Sequence, residues 1–232
     1  MDFALYLISL ILFSALTVLA VFFFPKWKNA LLVDIVSVSL ITGLYLVFVL
    51  TRYLDVGIYD WNFQNALPTA NVSPFMFFTL PIFFLLRGRA RKVFAALIAL
   101  LSVGMFLSPT ISIIRYMAIG YAFHLHFLLD FIAHYLLCLF GIYLVRTEQA
   151  SLEKKDVLIG GSLIVGVAIL MLVINLILDT SFFGLNLRGK HSIYNIVLTK
   201  NSYLSALLYF FGLVSVLALG YLLQRLLCFK KG

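Results

Sequence analysis

Four residues able to carry protons, metals or acyl groups recur at steps of four in one apolar stretch: His126, Asp130, His134 and Cys138. On a helix this spacing places them in a slowly rotating row on one face. From a start near Phe123, His126 falls at a membrane interface and His134 near the midplane, at 1.5 Å of rise per residue. Ionisable groups are costly at that depth, so each is a functional candidate until a partner accounts for it. An Asp one turn above a His orients the imidazole and raises its basicity, which serves general-base chemistry. The same pair can instead satisfy itself and lock helix packing. His-x-x-x-Asp-x-x-x-His also offers two or three metal ligands, but such spacing does not specify a metal, and neither metal nor cofactor is assigned. His124 is predicted to point about 200° away from His126. Cys138, deep in an apolar run, reads as a small hydrophobe.

A second constellation precedes an apolar block. Asp60–Ser73 is polar and amide-rich, and Thr69, Asn71 and Ser73 enter the outer leaflet as the block begins. A hydroxyl (Thr69), an amide (Asn71) and a base (His134) can meet there if the two segments are neighbours. The competing reading is that Thr69 or Asn71 only caps a helix. Asn175 is another intramembrane amide on the same side. Asp34, at the start of the second block, is expected to snorkel or to pair with Lys26 or Lys28.

The elements that must position these groups are transmembrane helices. The 232 residues are 64% hydrophobic and 11% charged, whereas a soluble domain is about half apolar and about a quarter charged. The apolar residues come in blocks of roughly 20, the length that crosses about 30 Å of hydrocarbon. Seven spans are predicted: Leu5–Phe24, Leu31–Leu50, Val72–Leu86, Val93–Ile114, Phe123–Val145, Val157–Leu178 and Tyr203–Leu223. The whole chain reads as one all-α transmembrane bundle in the cell membrane. The first span is read as uncleaved, because Asp2 replaces a basic leader and no small-residue cleavage pattern follows. The third is the soft point. It is short, carries Pro74 and Pro81, and can be a re-entrant or tilted half-span. Pro109 is expected to kink the fourth.

Loop charges test the count. With seven crossings, 12 of the 17 basic residues fall on one side, in the clusters Lys26/Lys28, Arg87/Arg89/Arg91/Lys92, Arg146/Lys154/Lys155 and Arg225/Lys230/Lys231. Arg52, Arg115, Arg188, Lys190 and Lys200 fall on the other. The positive-inside rule makes the first side cytoplasmic, with the amino terminus outside and the carboxyl terminus inside. These flanking clusters also account for the net charge of +8 without nucleic acid. Two cysteines, Cys138 and Cys228, make no disulfide framework.

The order of elements resembles the YwaF-like family of small bacterial integral membrane proteins, whose distant eukaryotic relatives include a multispan phospholipid acyltransferase. Three stretches carry the resemblance. Asn65-Ala-Leu-Pro-Thr-Ala-Asn-Val-Ser73 matches a family L-P-L-H-x-C-N-like entry to the third span, with Asn71 on the family asparagine. Phe131-Ile-Ala-His134 matches an F-x-x-H-type motif, and Ile174-Asn175 an I-N-like step. Pro68 stands at the family histidine and Ala70 at the cysteine, so a cysteine-borne acyl mechanism is not available. The resemblance then implies either a non-catalytic member or a neighbouring hydroxyl, Thr69, paired with His134 as in the androgen-induced membrane hydrolases of fatty-acid esters.

Two classes of function follow. One is a lipid-modifying enzyme, acting by acyl transfer or ester hydrolysis, with Thr69, Asp130 and His134 catalytic and Asn71, Asn175 and His126 holding substrate. The other is a small-solute transporter or substrate-binding membrane component, or a scaffold without chemistry. Membrane lipid is the partner implied in either case; no protein partner is identified.

Overall fold

The computed structural model describes residues 2–23, 30–57, 66–178, 180, 182–185 and 202–227. The described elements are helical. They are α1 (Asp2–Phe23), α2 (Ala30–Val56), α3 (Val72–Thr79), α4 (Ile82–Leu85), α5 (Gly88–Ile119), α6 (Leu125–Arg146), α7 (Lys154–Leu178) and α8 (Ser202–Leu227), with a 3-10 turn at Phe182–Gly184. All but α3 and α4 are long and apolar enough to cross a bilayer, six helices in total. Large apolar side chains such as Leu12, Ile35, Leu163 and Leu207 stand on the outer surface of the bundle. Such a surface is stable only against hydrocarbon.

The two ends of the bundle are chemically distinct. At one, Arg91 donates to Asp34 at 2.7 Å and Arg89 to Asp156 at 2.6 Å. Arg225 and Lys154 line one groove at the same end. At the other, Arg52 meets His126, and the Tyr6 hydroxyl donates to the Ala122 carbonyl. The basic end is the cytoplasmic one by the positive-inside rule. Asp2 therefore starts α1 at the outer end and α8 finishes at the inner end, so the chain changes sides an odd number of times.

The third crossing is unlike the others. Pro81 lacks an N–H, so the run of helical hydrogen bonds is interrupted between α3 and α4, although Leu80 and Pro81 both keep helical backbone angles. Val72 to Leu85 rises only about 20 Å, short of the roughly 30 Å required. The chain nevertheless reaches the inner end, where the Arg91 guanidinium lies 4.3 Å from the centre of the Phe83 ring. It does so by starting low. The Tyr45 hydroxyl donates to the Ala66 carbonyl at 3.2 Å, and Tyr45 lies about 16 Å along α2 from Asp34, close to mid-membrane. Residues 66–71 thus form a turn sunk into the outer half of the membrane, followed by a short broken helix. By length this segment is a half-span, so six described helices rather than the expected seven are long enough to cross a bilayer by themselves.

The centre of the bundle is α6, whose most apolar window is 67% buried, against 11% for α1. It is held by close backbone approach. A Cβ at Gly141 would lie 2.7 Å from the Ser102 Cβ and 3.1 Å from the Ile98 carbonyl oxygen. On the other side of α5, a Cβ at Gly220 of α8 would overlap the Leu100 carbonyl. Gln224 of α8 donates to the Ser102 hydroxyl (2.9 Å) and to the Ala99 carbonyl (3.2 Å). Small residues and buried amide bonds are how membrane helices associate when lipid is as apolar as Leu. α5 runs as one helix through Pro109, with the Thr110 hydroxyl donating to the Phe106 carbonyl at 2.7 Å.

Asp34 is 1% exposed, and Arg91 and Gln149 hold it; Lys26 and Lys28 lie outside the described residues. Removing Arg91 strands a buried carboxylate with a neutral donor only. Arg91→Ala should cost about 3 kcal/mol of stability, and Asp34→Leu combined with Arg91→Met should recover most of it; thermal unfolding in detergent reads both. Gly220→Ala should cost about 1–3 kcal/mol by overpacking, whereas Gly166→Ala, whose Cβ meets nothing within 4 Å, should not destabilise.

Candidate functional site

The row of groups on α6 runs from the outer mouth to mid-membrane. At the mouth, Arg52 Nη1 donates to His126 Nε2 at 3.0 Å. A guanidinium only donates, so Nε2 carries the lone pair and the ring proton sits on Nδ1, 3.4 Å from Asp55 Oδ2. His126 is therefore committed on both sides. His124 does not point away as predicted. It precedes the helix with extended backbone (φ −111°, ψ 148°), so helical rotation does not apply to it, and its ring stacks on His126 with centroids 5.4 Å apart.

Two turns deeper, His134 Nδ1 lies 2.8 Å from the Asp130 carbonyl oxygen and 3.3 Å from Asp130 Oδ1. Both are acceptors, so Nδ1 holds the ring proton and Nε2 presents its lone pair. Nε2 makes no hydrogen bond among the described residues. The Asp130 side chain is 28% exposed and that of His134 8%, so the carboxylate lies at the open edge of the bundle and the imidazole within it. Cys138, one turn further in, is buried; no metal-binding group of three His, Cys, Asp or Glu occurs among the described residues.

The sunken turn meets this row through aromatic rings. Tyr45 bonds the Ala66 carbonyl and stacks on Phe77 (4.1 Å between centroids), and Phe77 meets His134 edge-on at 4.9 Å. The turn closes with the Ala70 amide donating to the Leu67 carbonyl at 2.9 Å. Asn71 caps α3, its Oδ1 accepting from the Val72 amide at 2.8 Å. No hydrogen bond joins the Thr69 hydroxyl to His134 among the described residues. Tyr45 and Phe77 were not singled out from the sequence, although a lone tyrosine in the middle of an apolar span was the available signal.

Asn175 stands apart from the row and acts on the backbone. Its Nδ2 donates to the carbonyls of Phe182 and Leu185, and its Oδ1 accepts from the Thr180 hydroxyl and the Phe182 amide. This holds Phe183 in a left-handed conformation (φ 57°). The Phe183 amide donates to the Thr69 carbonyl at 2.8 Å, a second bond on the sunken turn beside that of Tyr45.

Asn71 and Ser73 face a cavity of about 360 Å³ between α5 and α8. It is mainly apolar, with Leu101, Met105 and Leu213 among its walls and Ser108 and Tyr209 as further polar groups. α3 thus meets the cavity through residues at its start and His134 through Phe77 further along. Asn65 and most of the outer connection Asp179–Ser202 lie outside the described residues.

The sequence pattern of one known family, the TMEM164 family, matches residues 2–223. The chain belongs to the TMEM164 family. No curated protein and no solved structure matches it significantly. As a TMEM164-family member it is a multi-pass membrane protein, in agreement with its apolar helices.

Asn175→Ala should remove the clamp on the turn. Hydrogen exchange at the Phe182 and Phe183 amides should rise by one to two orders of magnitude, the consequence of losing about 1–3 kcal/mol of buried hydrogen bonding. Unchanged protection would mean that Asn175 does not hold the turn.

Proposed function

We propose that this TMEM164-family chain is a lipid-modifying enzyme of the cell membrane, moving or hydrolysing the acyl group of an ester lipid from the outer leaflet. The observation that carries this reading is the His134–Asp130 pair: a buried imidazole with one nitrogen held by acceptors and the other unspent. A histidine that served only helix packing would be expected to use both nitrogens. The resemblance of residues 65–73, 131–134 and 174–175 to the YwaF-like family supports the same reading. Because Ala70 replaces the family cysteine, the nucleophile is the adjacent Thr69 hydroxyl.

The chemistry follows the logic of a base-activated nucleophile. Thr69 Oγ1 attacks the ester carbonyl carbon as its proton passes to His134 Nε2. Asp130 stabilises the resulting imidazolium. Negative charge develops on the carbonyl oxygen, and two donors at the start of α3 serve it. Asn71 retains Nδ2, since its Oδ1 is spent on Val72. The Ser73 amide, in the first turn of α3, has no carbonyl within the helix to bond. Collapse breaks the bond to the lipid alcohol, which takes the proton from His134 and leaves an acyl-Thr69 ester. Water, or the hydroxyl of a second lipid, then attacks that ester; His134 takes its proton and returns it to Thr69 Oγ1. His126, tied to Arg52 and Asp55 at the mouth, meets the lipid headgroup, and Asn175 acts by fixing the turn.

The test is purified protein in liposomes of phospholipids with defined acyl chains, with lysolipid, free fatty acid and exchanged species followed by mass spectrometry. His134→Ala should slow turnover by about 10²–10⁴-fold. Thr69→Ala should abolish both turnover and any acyl-enzyme adduct, and Thr69→Ser should retain part of each. Equal turnover in wild type and His134→Ala would overturn the proposal.

A further inference from the structure

The cavity between α5 and α8 has a structural cause. The two helices touch backbone to backbone at Gly220 and Leu100, near the inner side, and are clamped there by Gln224. One turn further out Gly104 still packs on Val216, and beyond it Gly212 removes a side chain from the facing surface. A Cβ at Gly104 would meet Val216 Cγ1 at 3.0 Å, whereas one at Gly212 would meet nothing within 4 Å. The protein leaves the space at Gly212 unclaimed.

We infer that this cavity is a slot for one hydrocarbon tail of an ester lipid, entering from the bilayer between α5 and α8. Four features argue for that occupant. The slot lies in the hydrocarbon zone, where lipid tails are the abundant molecules. Its volume of about 360 Å³ is within the range of small-ligand pockets. Most of its walls, including Leu101, Met105 and Leu213, are apolar and suit a hydrocarbon tail better than a polar solute. Its polar groups include Asn71 and Ser73, so a tail in the slot brings its own ester carbonyl to the donors at the start of α3. The inference rests on the ester-lipid reading for the substrate's head, but the tail's place is a separate physical claim.

Photo-crosslinking separates the two. The wild-type protein in nanodiscs is exposed to a phosphatidylcholine carrying a diazirine at the end of one acyl chain, and labelled peptides are mapped. Labels should concentrate on α5 around Leu101–Ser108 and on α8 around Leu208–Val216. Gly212→Phe should lower labelling there by about tenfold, the loss expected when two methylenes no longer find a buried place. It should leave the melting temperature unchanged, because the new ring enters a void. Gly212→Leu, a smaller filler, guards against misfolding and should give a partial loss. Gly166→Phe, on the lipid-facing side of α7, should change nothing. Undiminished labelling in well-folded Gly212→Phe, or labels spread evenly over α1 and α7, would overturn the slot even if His134→Ala abolishes turnover. Labels concentrated in the slot together with normal turnover in His134→Ala would keep the slot and overturn the catalytic reading instead.

Discussion

The bundle depends on one short stretch of α5, residues 98–102, where two other helices come within backbone contact. Gly141 of α6 approaches Ser102 and the Ile98 carbonyl from one side, and Gly220 of α8 sits on the Leu100 carbonyl from another. In lipid there is no hydrophobic gain from bringing helices together, so contact of this kind and the Gln224–Ser102 bond must supply the association. Both glycines act by having no side chain at a crossing. Because α8 is pinned near its inner end, its outer half is free to stand away from α5. The cavity beside Asn71 follows from where the pin is placed.

Polar groups are distributed along the membrane normal in a consistent way. At the inner end, each buried carboxylate has an arginine: Asp34 has Arg91 and Asp156 has Arg89. These pairs fasten the starts of α2, α5 and α7 to one another where the chain carries most of its positive charge. In the outer half the pattern is graded. His126 is spent on Arg52 and Asp55, Asp130 is partly exposed, and His134 is buried with one nitrogen unspent among the described residues. A polar path that ends on an unspent lone pair at mid-depth suits a reaction brought in from the outer side better than it suits helix packing.

The short third crossing ties these two parts together. A seventh full-length helix would have kept Thr69 and Asn71 near the interface, far above His134. Pro81 and the brevity of α3 and α4 make the chain descend before the helix starts, and two bonds hold it down: Tyr45 to Ala66 and Phe183 to Thr69. The cost of burying a non-helical turn at that depth is met because its carbonyls accept from those neighbours and Asn71 caps the first amide.

Much of this was legible in the chain itself. Block length and composition dictate a helical membrane bundle, since no water-soluble packing hides so many apolar residues. The bias of basic residues sets its sidedness, and a spacing of four puts His126, Asp130 and His134 on one face, because a helix has a fixed period. Asn71 as a cap and Asp34 as a paired charge follow from residue type and position. Other features have no local signature. The rotation of His124 onto His126 depends on where α6 begins, and the partners of Asp34, Arg91 and Gln149, are distant in sequence. The depth of the Ala66–Asn71 turn is set by a tyrosine on another helix. Whether Gly212 lines a void or a contact depends on the angle at which α8 leaves Leu100. Periodicity reports which residues share a face of one helix; only the packing of several helices decides what that face meets.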